Sequence, residues 1–165
     1  MRFALGIIIT GMILLTSCKD DRILFAGYKP VPANGWGIRD TIGFTVPVTD
    51  TVSRYDIYIL LRNNEAYPYS NLYLISGVRF PGRTYISDTL EYEMTDAAGR
   101  FLGSGFGSVK ENKLVLKENV RFRHAGEYRI TVRQSMRKRN SVTPIDPLPG
   151  ITDVGISIEK TDTRE

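Results

Sequence analysis

Residues 41–49 read Thr41-Ile42-Gly43-Phe44-Thr45-Val46-Pro47-Val48-Thr49, with Ile42, Phe44, Val46 and Val48 at every second position. A period of two is that of a strand with one buried face, because successive side chains point to opposite sides of a pleated chain. Pro47 has no amide hydrogen for a ladder, so this strand is expected at a sheet edge or at a bulge. The spacing returns in Tyr55, Ile57, Ile59 and Leu61, set against Asp56, Tyr58 and Leu60, and again in Arg129-Ile130-Thr131-Val132-Arg133. Shorter runs at 72–78, 89–94, 113–116 and 154–158 follow, separated by Arg62-Asn63-Asn64, Pro81-Gly82, Ala98-Gly99 and Ala125-Gly126. Short alternating runs with turn residues between them, and no helical periodicity, predict an all-β fold. The expectation is a single antiparallel β-sandwich, Ig-like or jelly-roll-like, over residues 23–160, with irregular stretches at 29–40 and 140–150.

The N-terminus lies outside that domain. Met1-Arg2 is positive, residues 3–15 are almost wholly apolar, and Thr16-Ser17-Cys18 ends the run with small residues. An apolar core of about 13 residues falls short of the roughly 20 that span a bilayer as a helix. It reads as a cleaved export signal over residues 1–17. Leu15-Thr16-Ser17-Cys18 resembles a lipobox, the site where lipoprotein signal peptidase cuts before a cysteine carrying a diacylglyceryl group. Residues 18–22 are then a charged tether behind acylated Cys18, and 161–165 a polar tail. Several acyl chains, such as palmitate, anchor a protein stably where one does not. The domain is expected to sit on a membrane without spanning it. Lys19-Asp20-Asp21 resembles the export signal of surface lipoproteins in the Bacteroidetes, which favours the outer membrane, with surface display preferred over a periplasm-facing position.

Composition narrows the function. Cleavage leaves 148 of 165 residues, enough for one domain. Arg2 goes with the leader, so 21 of the 22 basic side chains remain against 18 acids, a net charge of +3 that does not suggest nucleic-acid binding. Cys18 is the single cysteine and His124 the single histidine, so neither a disulfide framework nor a His/Cys zinc site is expected. Among the acids Asp88, Glu91, Glu93 and Asp96, Glu91 and Glu93 share the strand face opposite Leu90, Tyr92 and Met94, which reads as a solvated face. Gly103-Ser104-Gly105-Phe106-Gly107 lacks the lysine and helix of a phosphate loop and reads as a turn. No catalytic residue and no cofactor is expected; a hydrolase survives only as the acidic-strand alternative.

Binding remains, with two candidate surfaces. One is Tyr67-Pro68-Tyr69-Ser70-Asn71 beside Arg62 and Asn63, since tyrosines offer flat contact area with a polar tip that suits a sugar or a protein. The competing reading has these tyrosines closing the end of the core. The other surface is basic: Arg121 and Arg123 around Phe122, Arg129 and Arg133 around Ile130 and Val132, and Arg137-Lys138-Arg139 beyond. If residues 124–127 form a hairpin turn, these arginines share one face able to meet acidic protein, anionic glycan or lipid phosphate.

Taken in order, Trp36, Arg62-Asn63-Asn64, Tyr67-Pro68-Tyr69-Ser70-Asn71-Leu72, Asp88-Thr89-Leu90-Glu91-Tyr92, Gly103-Ser104-Gly105, Gly126-Glu127-Tyr128, Gln134-Ser135-Met136-Arg137 and Asp153-Val154-Gly155-Ile156 resemble the gliding-motility lipoprotein GldH family of the Bacteroidetes. The resemblance runs from the lipobox nearly to Lys160. It implies an envelope lipoprotein, associated in gliding species with the motility machinery, and supplies no catalytic residues. The expected role is a lipid-anchored accessory component with outer-membrane protein partners of a motility or secretion assembly; the alternative is a surface glycan-binding module. Cys18→Ala is expected to abolish fatty-acid labelling and either stall the precursor or release the domain from the membrane, as metabolic labelling and fractionation would show; normal labelling of that variant would contradict the lipobox reading.

Overall fold

The computed structural model describes residues 21–161; the expected export signal (1–17), Cys18, Lys19, Asp20 and residues 162–165 lie outside the described residues. The described chain forms β1 (Ile23–Pro30), β2 (Ile42–Val48), β3 (Tyr55–Asn63), β4 (Asn71–Arg79), β5 (Tyr85–Glu93), β6 (Lys110–Val120), β7 (Gly126–Gln134) and β8 (Ile151–Lys160). One sheet has the order β1-β8-β3-β6 and the other β2-β7-β4-β5, and every pairing is antiparallel. This is a β-sandwich, and β2 is an edge strand, where Pro47 costs no ladder bond.

The alternation seen in the sequence builds the core. Ile57, Ile59 and Leu61 of β3 lie beside Ile158, Ile156 and Val154 of β8, and all six are buried. From the second sheet they meet Phe44 and Val46 of β2, Leu72 and Leu74 of β4, and Tyr128, Ile130 and Val132 of β7. The run Ile23-Leu24-Phe25-Ala26-Gly27-Tyr28, which the sequence pattern did not mark as a strand, opens β1, which continues through Lys29 and Pro30 of the stretch expected to be irregular; its register is irregular between Ile23 and Phe25.

The connections give the sandwich two unlike ends. Ile23 pairs with Glu159, and Tyr55 pairs with both Lys160 and Val120, so β1 and β3 start where β6 and β8 finish. Residues 49–54 and 121–125 cross between the sheets here, and the β4–β5 hairpin turns at 80–84. The described chain begins at this end, called the tether end below. The expected hairpin at 124–127 does not form: β6 and β7 lie in different sheets, and the chain between them dives through the core edge. Phe122 enters the interior there, stacking between Tyr55 and Tyr128 at ring separations of 5.6 and 4.9 Å, which turns Arg121 and Arg123 outward.

The far end carries the long connections 31–41, 64–70, 94–109 and 135–150. Two of them, 31–41 and 135–150, are bound together by Gln134, fully buried at the end of β7. Its Nε2 donates to the carbonyls of Ile145 (2.8 Å) and Trp36 (3.3 Å), and its Oε1 accepts from the Met136 amide (2.8 Å). Trp36 is itself fully buried, donates Nε1–H to the Asp40 carbonyl at 2.8 Å and forms a bridge with Leu148. Gly150 closes the junction: its φ is +81°, and a Cβ there would collide with the Tyr67 backbone.

Gln134→Leu would fill the same volume but orphan the buried Met136 N–H and the buried Ile145 carbonyl, while the Trp36 carbonyl keeps the Leu148 amide. Each stranded group costs about 1–3 kcal/mol, so a loss of about 2–4 kcal/mol is expected. Urea unfolding would read it as a lower midpoint at unchanged slope.

Candidate functional site

The β4–β7 pairing decides which candidate residues meet. Leu74 is in register with Gln134, so the chain past Gln134 runs beside Tyr73 and on toward the residues preceding β4. The Ser135 amide donates to the Tyr73 carbonyl at 2.8 Å, and the Tyr73 amide points at the Met136 sulfur, 3.3 Å away. A groove of about 760 Å³ results, lined on one side by Tyr69, Asn71 and Tyr73 and on the other by Met136, Arg137, Lys138 and Arg139. Parts of both sequence-predicted surfaces thus form one site, at the far end of the second sheet.

Polar contacts stiffen its floor. Asn71 Nδ2 donates to Glu91 Oε1 at 2.8 Å across the β4–β5 pair. Hydrogen bonds from Asn71 and then Tyr73 hold the Glu91 carboxyl below its usual range. A carboxyl so held is ionised at neutral pH and is poorly suited to donate a proton in glycoside hydrolysis, which requires one held up. Among the described residues, no three His, Cys, Asp or Glu side chains gather as a metal site would require. Arg137, Lys138 and Arg139 are exposed and face the tyrosines across the groove. Flat aromatic surface opposite guanidinium and ammonium groups can hold an acidic, ring-bearing or extended partner segment.

Other predicted residues lie elsewhere. Tyr67 is a core residue, 3% exposed, whose hydroxyl donates to the Asn71 carbonyl at 2.6 Å while its ring meets Tyr69 edge-on at 5.7 Å. Burial pushes the ionisation of its hydroxyl up. Asn63 is fully buried, its Oδ1 accepting from Asn112 Nδ2 at 2.8 Å. Neither Tyr67 nor Asn63 offers surface to a partner, a correction that follows from the core extending to the last residue of β3. Arg62 points out of the first sheet, where it pairs with Glu111 at 3.1 Å and stacks on Tyr28, its guanidinium carbon 4.1 Å from the ring centre. The Tyr28 ring in turn lies across Gly155, where a Cβ would press on it.

Arg129 and Arg133 lie on the outer face of the second sheet, Arg129 in register with Arg79 and Thr45, Arg133 with Ile75. They do not share a hairpin with Arg121 and Arg123. Those two, with Arg54 and Asn119, line a separate pocket at the tether end. Sequence reasoning also missed two features of the far end. Tyr73 is an outward tyrosine inside a strand, distinguishable from a core residue only by register. Phe106 is wholly exposed between Gly105 and Gly107, both at positive φ, and an aromatic flanked by glycines in a turn was the available signal.

Comparison with known proteins follows the same boundaries. The family described as GldH lipoprotein matches residues 23–158. The chain is 44% identical over 160 residues to a gliding motility lipoprotein GldH homolog of Christiangramia forsetii, covering 97% of each chain. It is 38% identical over 157 residues to the gliding motility lipoprotein GldH of Flavobacterium johnsoniae, covering 95% of this chain and 96% of that one.

The two tyrosines of the 64–70 connection should separate by stability. Tyr67→Ala removes a buried ring and is expected to cost about 3–5 kcal/mol. Tyr69→Ala removes mainly an edge-on ring contact and should cost about 0.5–1.5 kcal/mol. Denaturant unfolding of both variants checks the ordering, and equal losses would contradict the burial described above.

Proposed function

This chain belongs to the GldH lipoprotein family, and from that premise we propose a non-enzymatic, lipid-anchored accessory component of an envelope assembly related to gliding motility or secretion. In this reading Cys18 carries the acyl groups, the outer membrane holds them, and Lys19-Asp20-Asp21 favours the outer surface over the periplasmic side.

One observation carries the reading: the groove between Tyr69, Tyr73 and Arg137–Lys138–Arg139 lies at the end of the sandwich opposite the tether. The ten-residue strand β8 separates the two ends by about 33 Å at the usual rise per residue. A domain held at one end and grooved at the other can reach a neighbouring protein standing out of the same membrane. Phe106, wholly exposed, adds an apolar contact at that end.

A second reading, a surface glycan-binding module, draws on the same groove, because Tyr69 and Tyr73 stand beside the polar side chains of Asn71 and Thr89. Stacking rings next to hydrogen-bonding groups suit a sugar as well as a peptide.

Crosslinking the lipoprotein in its own cells, then purifying it from solubilised membrane, tests the choice. Stoichiometric recovery of particular envelope proteins is expected, reduced about tenfold or more by Arg137→Glu with Lys138→Glu through like-charge repulsion of an acidic partner. Recovery of the lipoprotein alone, with specific retention on a glycan array, would replace the assembly role by the glycan one.

A further inference from the structure

The tether end holds a second charged feature that the groove does not use. Arg54, Arg121 and Arg123 converge with Asn119 on a pocket of about 570 Å³, and all four residues are exposed. Their positions are set by the fold. Arg54 Nη1 reaches the Asn119 carbonyl and Oδ1, each at 3.3 Å, and the Arg121 Nε donates to the Thr51 carbonyl at 2.8 Å. Asn119 has a φ of 56° and its amide donates to Asp56 Oδ1 at 2.8 Å, which fixes the turn that carries it.

The carboxylates nearby are engaged with other donors. Asp50 accepts from the amides of Val52 and Ser53, both at 2.9 Å, and from the Tyr55 hydroxyl at 3.0 Å. Asp56 accepts from the Asn119 amide and the Thr161 hydroxyl. Among the described residues, no carboxylate lies within ion-pairing distance of Arg54, Arg121 or Arg123, whereas Arg62, Arg100 and Lys113 each have one. Three guanidinium groups gathered without a counter-charge form a site for a multivalent oxyanion, whose oxygens match their planar forks.

Position identifies the source of that anion. Lys160 donates its amide to the Arg22 carbonyl at 2.7 Å, and Thr161 donates to the Arg54 carbonyl at 2.9 Å, so the start of the described chain and the arginine pocket share one corner. Cys18 precedes Ile23 by five residues, a reach of at most about 18 Å even when fully extended. Val52, 77% exposed on the loop that leads to Arg54, puts an apolar tip beside the cations. An apolar tip rimmed by arginines suits the boundary between acyl chains and headgroups.

We infer that this pocket binds the phosphate of an anionic lipid headgroup in the leaflet that holds the anchor, orienting the domain with its groove facing away from the membrane. The inference rests on the acylation of Cys18 for the choice of a lipid, and on the arginine geometry alone for the choice of phosphate.

The test uses the mature lipoprotein isolated in non-ionic detergent, with mass spectrometry first reporting whether Cys18 carries its acyl groups. Short-chain phosphatidylglycerol, short-chain phosphatidylcholine and inorganic phosphate are then titrated separately while the arginine side-chain N–H resonances are followed. Phosphatidylglycerol is expected to shift Arg54, Arg121 and Arg123, with phosphatidylcholine and free phosphate binding more weakly. Arg121→Gln with Arg123→Gln should weaken phosphatidylglycerol binding about 30-fold at low salt, at roughly fivefold per arginine. Near-ultraviolet circular dichroism unchanged from wild type would show that the variant is folded. Absence of shifts, or an unchanged affinity in the folded variant, overturns the pocket; free phosphate binding as tightly as phosphatidylglycerol overturns the lipid. A chain without acyl groups at Cys18 would refute the anchor while the titrations still judged the pocket.

Discussion

The far end of this sandwich depends on one buried amide. Gln134 is fully buried, and its three polar contacts come from two connections, Trp36 in 31–41 and Met136 and Ile145 in the 135–150 stretch that follows it. A buried amide with its partners matched is specific in a way that an apolar side chain is not, because any other arrangement of the loops leaves polar groups stranded. The groove inherits that specificity. Residues 135–139 run where they do because Gln134 pins Met136 from inside while Ser135 bonds to Tyr73 from the sheet. The position of Arg137, Lys138 and Arg139 opposite the tyrosines follows from those two attachments.

A second constraint, topological, separates the ends. Each sheet is antiparallel, and the chain changes sheets at 49–54 and 121–125 through short crossings at the tether end. Short crossings leave little room for insertions, and this end is plugged by the ring stack of Tyr55, Phe122, Tyr128 and Phe80. The longer connections accumulate at the opposite end, where they pack over Trp36, Tyr67 and Leu148. The division is therefore between a closed, aromatic, arginine-rimmed end and a loop-built end, and it arises before any partner is considered.

Most of the architecture was legible in the sequence because one-sided burial imposes a period of two. Residues 42–48, 55–61 and 129–133 showed it, and each lies within a strand whose apolar set faces the core. The strand β1 was not legible, since Ile23-Leu24-Phe25-Ala26-Gly27-Tyr28 contains a register shift and its Phe25 packs against Phe44 at 6.1 Å from an edge position. In β6 only the central leucines stood out, because Glu111, Lys113 and Lys117 face solvent and the register slips twice near Ile57. The supposed hairpin at 124–127 failed for a related reason: Ala125-Gly126 does mark a sharp bend, with Gly126 at a φ of +134°, but a bend does not say whether the next strand joins the same sheet. The groove was half legible. Its residue types were visible, yet bringing Tyr69 to Arg137 requires the register of Leu74 with Gln134, which long-range pairing sets and local pattern does not.

The distribution of charge gives that architecture a consistent sense. The chain carries a formal net charge of only +4, yet two groups of its cations are drawn together. Where arginine is needed to hold the fold it is paired, as Arg62 is with Glu111 and Arg100 with Asp96. Without an ion pair among the described residues, Arg54, Arg121 and Arg123 come together by the tether end, and Arg137, Lys138 and Arg139 by the groove. Exposed like charges brought together lower stability slightly through repulsion, and an outside anion bound at either cluster would offset it. One cluster sits at the corner where the chain leaves for Cys18, and the other about a strand's length away. A single rigid sandwich then sets the distance between a membrane and whatever fills the groove, and any tilt at the first cluster is carried in full to the second.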